Sequence, residues 1–100
     1  MTLTKFNDEK LRVATAMLKA MAHPVRISIL HLLKEGEKLT VTQLHETLGI
    51  EQSAASHHLG ILKDKGVLCS KRNGKNTHYY LKNKVFGQII DCMKSCACDD

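Results

Sequence analysis

Residues 39–68, LTVTQLHETLGIEQSAASHHLGILKDKGVL, constrain the fold more than any other stretch of this chain. They read as two short helices joined by a tight turn. Thr40 and Gln43 make a T-x-x-Q capping box, in which each side chain satisfies a backbone N–H that the helix start leaves unpaired. Leu39 and Leu44 are spaced to close over that cap as a hydrophobic staple. Val41, Leu44 and Leu48 continue at helical spacing. Gly49 supplies the stop because it tolerates the left-handed backbone of a helix end, and Ile50 plugs the corner. The second helix is expected from Gln52 to Lys65, ending at Gly66. Ala55, Leu59 and Leu62 form its buried side at i, i+4, i+7.

The opposite side of that second helix carries Gln52, Ser53, Ser56, His57, Gly60 and Lys63. A solvated face is usually rich in Lys and Glu. This one offers amide, hydroxyl and imidazole groups near the helix N-terminus. Such short donors and acceptors can reach base edges in a major groove, and a helix N-terminus also favours phosphate. The alternative is an ordinary solvated face, since helix-turn-helix pairs are common packing units.

Upstream, residues 8–22 predict an amphipathic helix with Leu11, Ala14, Met17, Leu18 and Met21 on one side. Such a helix either covers the core or packs across a subunit interface. His23-Pro24 opens the next helix, where Pro fits the first position because its missing N–H would be unpaired there. Val25, Ile29, Leu32 and Leu33, with Ile27 and Leu30 alongside, mark it as the central core helix. Arg26 in its first turn is expected to make a structural ion pair, and His31 to be a hydrogen-bonded filler rather than a ligand.

After Gly66 the pattern changes from helical to alternating. Val67, Leu68 and Cys69 begin a strand, and residues 77–81 form its partner. Asn73-Gly74 between them signals a two-residue hairpin. Seven basic residues (Lys63, Lys65, Lys71, Arg72, Lys75, Lys82, Lys84) stand here against one acid, Asp64, whereas residues 39–62 hold no Lys or Arg. That division suits a nucleic-acid reader: the helix reads bases, and Lys71, Arg72, Asn73 and Lys75 meet phosphates. Cys69 on the first strand is expected to be filler.

Composition agrees. With 100 residues, 43% hydrophobic and 25% charged, the chain is expected to form one globular domain over residues 1–100. A core this small gains from a dimer. A net charge of +5 and a pI near 9.1 fit an anionic partner. No apolar run reaches membrane-spanning length and no signal core is present, so a cytoplasmic protein without a membrane partner is expected.

Taken together, His23-Pro24-Val25-Arg26, Leu39-Thr40-Val41-Thr42-Gln43-Leu44, Ser53-Ala54-Ala55-Ser56-His57-His58-Leu59, Gly66-Val67-Leu68 and Arg72-Asn73-Gly74-Lys75 through Tyr79-Tyr80-Leu81 resemble the ArsR/SmtB family of bacterial repressors. The resemblance spans about residues 10–95. It implies a mainly α winged helix-turn-helix of five helices with a small β-hairpin wing. It also implies a homodimer through the first and last helices, bound to a short inverted repeat of double-stranded promoter DNA. The family's groove-contacting positions fall on Gln52, Ser53, Ser56 and His57, and its wing on residues 72–77. Glu51 departs from the family's frequent Ser cap; Glu is a poorer cap, and its charge near phosphate costs affinity.

The inducer is not settled by that resemblance. Thr40, Thr42 and His45 occupy the places of the family's arsenic-type thiols. Asn83 and Val85 break the zinc-type carboxylate–histidine site, whose second half would fall near Cys96 and Asp99. His31 stands near one position of the reactive-sulfur cysteine pair. The chain instead offers Cys92, Cys96 and Cys98 in a Cys-rich stretch over residues 92–100. Cys92 and Cys96 share a helical face. Three thiolates suit a soft ion such as As(III), Sb(III), Cd(II), Pb(II) or Cu(I), bound as inducer and not required for folding. The same thiols suit a disulfide or polysulfide switch, and an incidental cluster without sensing is the remaining reading. Two other classes stay open: a winged helix with a protein partner, and a thiol enzyme. The chain shows no Cys–His pairing on a fixed element, no phosphate loop and no paired carboxylates, so an enzyme is not expected.

Overall fold

The computed structural model describes residues 7–97. Five helices and three short strands follow in the order α1 Asp8–Met21, α2 Pro24–Leu33, β1 Leu39–Thr40, α3 Val41–Leu48, α4 Gln52–Asp64, β2 Leu68–Asn73, β3 Asn76–Leu81 and α5 Val85–Ala97. The capping chemistry read from the sequence is present. The Gln43 N–H donates to Thr40 Oγ1 at 3.1 Å, and the Thr40 N–H donates to Gln43 Oε1 at 2.9 Å. Asn7 caps α1 through its side chain, and His23 caps α2 by accepting the Val25 N–H at Nδ1, with Pro24 in the first turn.

Helix α3 stops at Gly49, whose φ of +69° lets the Ile50 N–H reach back to the His45 carbonyl at 3.1 Å. The His45 ring stands 3.1 Å from the Ile50 carbonyl and closes the same turn. α4 then leaves at an angle that sets Ala55, Leu59 and Leu62 into the core with no exposed surface. Around them lie Ile29, Leu30 and Leu33 of α2, Leu44 of α3, Val67, and Phe86 and Ile90 of α5. The fully buried Ile29, Leu30, Leu33, Leu44, Leu59, Leu62 and Val67 each stabilise the fold by roughly 1.5–3 kcal/mol.

The wing is larger than a hairpin. β1 pairs antiparallel with β3 (Leu39 opposite Tyr79, Thr40 opposite His78), giving a three-stranded sheet in the order β1-β3-β2. Thr40 therefore ends a strand and caps a helix at once. Its N–H is taken by Gln43, which is where the ladder stops. The β2–β3 turn also differs by one residue from the expected position. Asn73 pairs with Asn76, so Gly74-Lys75 is the two-residue loop, with Gly74 at φ +68° in its first place. A hairpin turn of matching twist requires that conformation.

The helices leave several apolar side chains uncovered among the described residues. On α1, Met17 packs on the core and Ala20 and Met21 are buried, but Leu18 is 58% exposed and Val13 41%. On α2, Ile27 is 43% exposed, so this helix is not covered on that side. α4 runs to Asp64 with Lys65 as its cap, in keeping with the expected end near Lys65. α5 packs on α2 through Phe86, Gly87 and Ile90. The pair is bridged at the surface by Lys34 Nζ and Asp91 Oδ1 at 2.8 Å, a contact that holds the Asp91 carboxyl below the usual carboxylate range.

Candidate nucleic-acid interface

The polar side of α4 is fully presented. Gln52, Ser53, Ser56, His57, Gly60 and Lys63 are all exposed, opposite the buried Ala55, Leu59 and Leu62. Glu51 makes no side-chain cap bond, so the first N–H groups of α4 keep their capacity to donate outward. The helix thus offers its dipole-positive end, an amide and two hydroxyls to one side of the molecule.

The sheet brings the wing to the same side. Gln52 at the start of α4 lines a groove with Thr40 and Thr42 on one wall and Lys75, Asn76 and Thr77 on the other. Arg72 pairs with Thr77 across the hairpin, on the face that continues toward Tyr79 and Leu81. Its Nε donates to the Gly74 carbonyl at 3.1 Å, which steadies the guanidinium over the turn. Lys71 pairs with His78 on the opposite face, where Lys38 and Asn73 line a second, smaller hollow. The basic hairpin is therefore two surfaces: Lys75 in the groove beside α4 with Arg72 on the same face, and Lys71 on the other face.

Behind the reading face sits a cluster that sequence reasoning missed. Arg26 forms no ion pair among the described residues. Its Nε donates to His58 Nδ1 at 3.1 Å and its Nη1 to the Ala20 carbonyl at 3.1 Å. The His58 ring lies 4.6 Å from that of His23 and 5.6 Å from that of His57. Burial first, then the electrostatic influence of neighbouring His23, Arg26 and His57, holds the His58 pKa below its ordinary value. The recurrence of basic residues at His23, Arg26, His57 and His58 was the available signal, but only the crossing of α2 and α4 pairs them.

The cysteines lie elsewhere. Cys92 and Cys96 are exposed free thiols one turn apart on α5, and Cys98 falls outside the described residues. Among the described residues no three His, Cys, Asp or Glu side chains gather as a metal site. Cys69 is half-buried in β2 opposite Tyr80. The His31 side chain makes no hydrogen bond among the described residues; it lines an apolar groove with Ile27, Leu32, Leu48, Met93 and Lys94.

The helix-turn-helix domain family matches residues 21–68, which run from the end of α1 to the first residue of β2. The HTH-type transcriptional regulator YgaV of Escherichia coli is 35% identical over 85 residues, covering 85% of this chain and 86% of that protein. The chain belongs to the ArsR/SmtB family of winged helix-turn-helix regulators. The biofilm growth-associated repressor of Xylella fastidiosa is 33% identical over 91 residues, 91% of this chain and 79% of that one. The structure of reduced HlyU from Vibrio cholerae superposes with a TM-score of 0.79 at 28% identity, covering 92% of this chain and 96% of that chain. In this family the protein is a DNA-binding transcriptional regulator and not an enzyme. α3 and α4 are its helix-turn-helix and β2–β3 its wing. No helix among the described residues is long and apolar enough to cross a membrane.

Proposed function

We propose that this chain is a homodimeric repressor that reads an inverted repeat and leaves it when its C-terminal cysteines are engaged. α4 enters the major groove, where Gln52, Ser53, Ser56 and His57 meet base edges. Lys63 and the wing residues Arg72 and Lys75 meet the backbone, whereas Lys71 and Asn73 line the hollow on the opposite face of the hairpin. The observation that supports this reading is the shared groove: Gln52, the first residue of α4, and Lys75 at the wing turn line a single channel.

A second copy of the chain suits the surfaces left open. Leu18 of α1 and Met93 of α5 are 58% and 57% exposed, and Val85 is 41% exposed. Val85, Ile89, Cys92 and Cys96 recur at i, i+4, i+7, i+11 along α5, so the thiols lie in the stripe that a partner would cover. Cys92 and Cys96, with Cys98, suit a thiophilic inducer such as As(III). Each thiol displaces one hydroxyl of arsenous acid as water, without change of oxidation state. Ligation in that stripe alters the angle between two reading heads and so breaks the fit to half-sites about a helical turn apart.

A second reading has its own support. Only two described thiols meet on α5, and HlyU, a relative of similar fold, has been observed in a form designated reduced. Oxidation of Cys92 and Cys96 to a disulfide or polysulfide then replaces metal ligation. The test is fluorescence anisotropy of the reduced protein on its own upstream DNA, before and after arsenite. Stoichiometric release that disappears in Cys92→Ser/Cys96→Ser supports metalloid sensing. Release only by polysulfide or peroxide supports the thiol switch. Absence of binding at low salt refutes the DNA-reading assignment itself.

A further inference from the structure

α4 is tied to the rest of the domain by more than apolar packing. Arg26 reaches two other elements from the first turn of α2. Its two hydrogen bonds, to His58 Nδ1 on α4 and to the Ala20 carbonyl in the last turn of α1, are both part-buried. A guanidinium is planar, so two such bonds fix its plane and with it the spacing between the end of α1 and the middle of α4. His23 packs its ring against His58 from the α1–α2 corner, and is itself held by accepting the Val25 N–H at 3.1 Å.

The chemistry of this clamp is unusual. A part-buried arginine is commonly matched by a carboxylate, yet here the acceptors are an imidazole and a carbonyl. Arginine keeps its protons at every accessible pH. Nδ1 of His58 must therefore be the bare nitrogen, and the ring must be neutral with its proton on Nε2. A second proton would set N–H against N–H and one positive charge beside another. The groups facing His58 are Arg26 from α2, His23 from the corner and His57 from its own helix, with no acidic side chain among the described residues to offset them.

We infer that Arg26 is a positioning residue for operator recognition: through neutral His58 it sets the angle of the α4 reading face relative to α1, and protonation of His58 releases it. This rests on the assignment of α4 as the reading helix. α1 carries exposed apolar residues suited to a second copy, so an angular error between α1 and α4 is felt at both half-sites. Base readout tolerates little of that error, whereas phosphate contact tolerates more. The clamp therefore acts on specific binding and spares non-specific binding.

The experiment uses a duplex enriched from a random pool by the wild-type protein, with poly(dI-dC) as the non-specific DNA. Arg26→Lys keeps the charge, but one ammonium cannot span both acceptors. It is expected to weaken the enriched duplex about 10-fold and poly(dI-dC) less than about 2-fold. His58→Asn sets an amide oxygen where Nδ1 sits, an acceptor that does not titrate. It is expected to bind within about 3-fold of wild type near pH 8, and the ratio of its specific affinity to that of wild type is expected to rise at least about 5-fold on going to about pH 5. Every other titrating group is common to both proteins and cancels in that ratio. Equal weakening of both DNAs by Arg26→Lys, in a protein that still folds, makes Arg26 a phosphate contact and overturns the proposal. So does a flat pH ratio for His58→Asn, which decides alone if Arg26→Lys does not fold. A wild type that enriches no duplex removes the reading-helix assignment and the clamp together; one that enriches a duplex, with both variants unaffected, removes the clamp alone.

Discussion

The split of the wing into two faces predicts an unequal salt dependence. Lys75 lines the groove with Gln52 of α4 and Arg72 shares the hairpin face of Thr77 and Tyr79, which line it too, whereas Lys71 lies on the opposite face with Lys38 and His78. Each cation that neutralises a phosphate contributes about 0.9 to the slope of log affinity against log salt. Arg72→Gln with Lys75→Gln removes two such cations per protomer and four per dimer, so the slope is expected to fall by about 3.6. Over a rise from about 50 to about 200 mM salt, the wild type should then lose roughly 100-fold more affinity than the double variant. Arg72→Gln alone should lower the slope by about 1.8, and Lys71→Gln by less than about 0.5. Anisotropy titrations of one labelled duplex at four salt concentrations measure all of these. If Lys71→Gln lowers the slope as much as Arg72→Gln does, the assignment of the DNA-facing side of the wing is wrong.

Three further outcomes follow from the same structure. Gln52→Ala should cost about 1–3 kcal/mol on the preferred duplex and relax the preference at one base position without changing the salt slope; a selection experiment with the variant reads this directly. Thr40→Ala removes the side-chain half of the α3 capping box and should destabilise the fold by about 1 kcal/mol in urea unfolding, while a Ser at that position should restore most of it. The third concerns acid. The folded-state pKa of His58 lies below its unfolded value, so the unfolded chain takes up the proton first as pH falls. Its contribution is fully present above the unfolded value and is lost as pH falls through the folded one. The melting temperature of the wild type should therefore drop more than that of His58→Asn between about pH 7.5 and pH 5, and equal drops would show that His58 is not the group responsible.

Local chemistry made much of this protein legible in advance. The capping box of Thr40 and Gln43, the stop at Gly49, proline in the first turn of α2 and the buried spacing of Ala55, Leu59 and Leu62 are short-range signals. Each acts within a turn or two of chain, and each is present in the fold. The polar side of α4 was legible for the same reason: helical period alone puts Gln52, Ser56 and Lys63 opposite the core. The hairpin was displaced by one residue because two adjacent pairs can satisfy the turn. Sheet register, which depends on the partner strand, chose Gly74-Lys75 over Asn73-Gly74.

What the tertiary structure alone decided is every relation between residues far apart in the chain. β1 is two residues long and carries no strand signal by itself; it exists because β3 lies alongside it. Arg26 and His58 are 32 positions apart, and nothing local distinguishes an arginine awaiting a carboxylate from one that holds an imidazole. Leu18 and Ile27 obey the same apolar pattern as their buried neighbours, yet they remain exposed because no element among the described residues packs over them. The sequence by itself determined the helices, their caps and the character of each face. The crossing of α1, α2 and α4 determined which faces meet, since burial and hydrogen-bond partners belong to the packed arrangement and not to the period of any one helix.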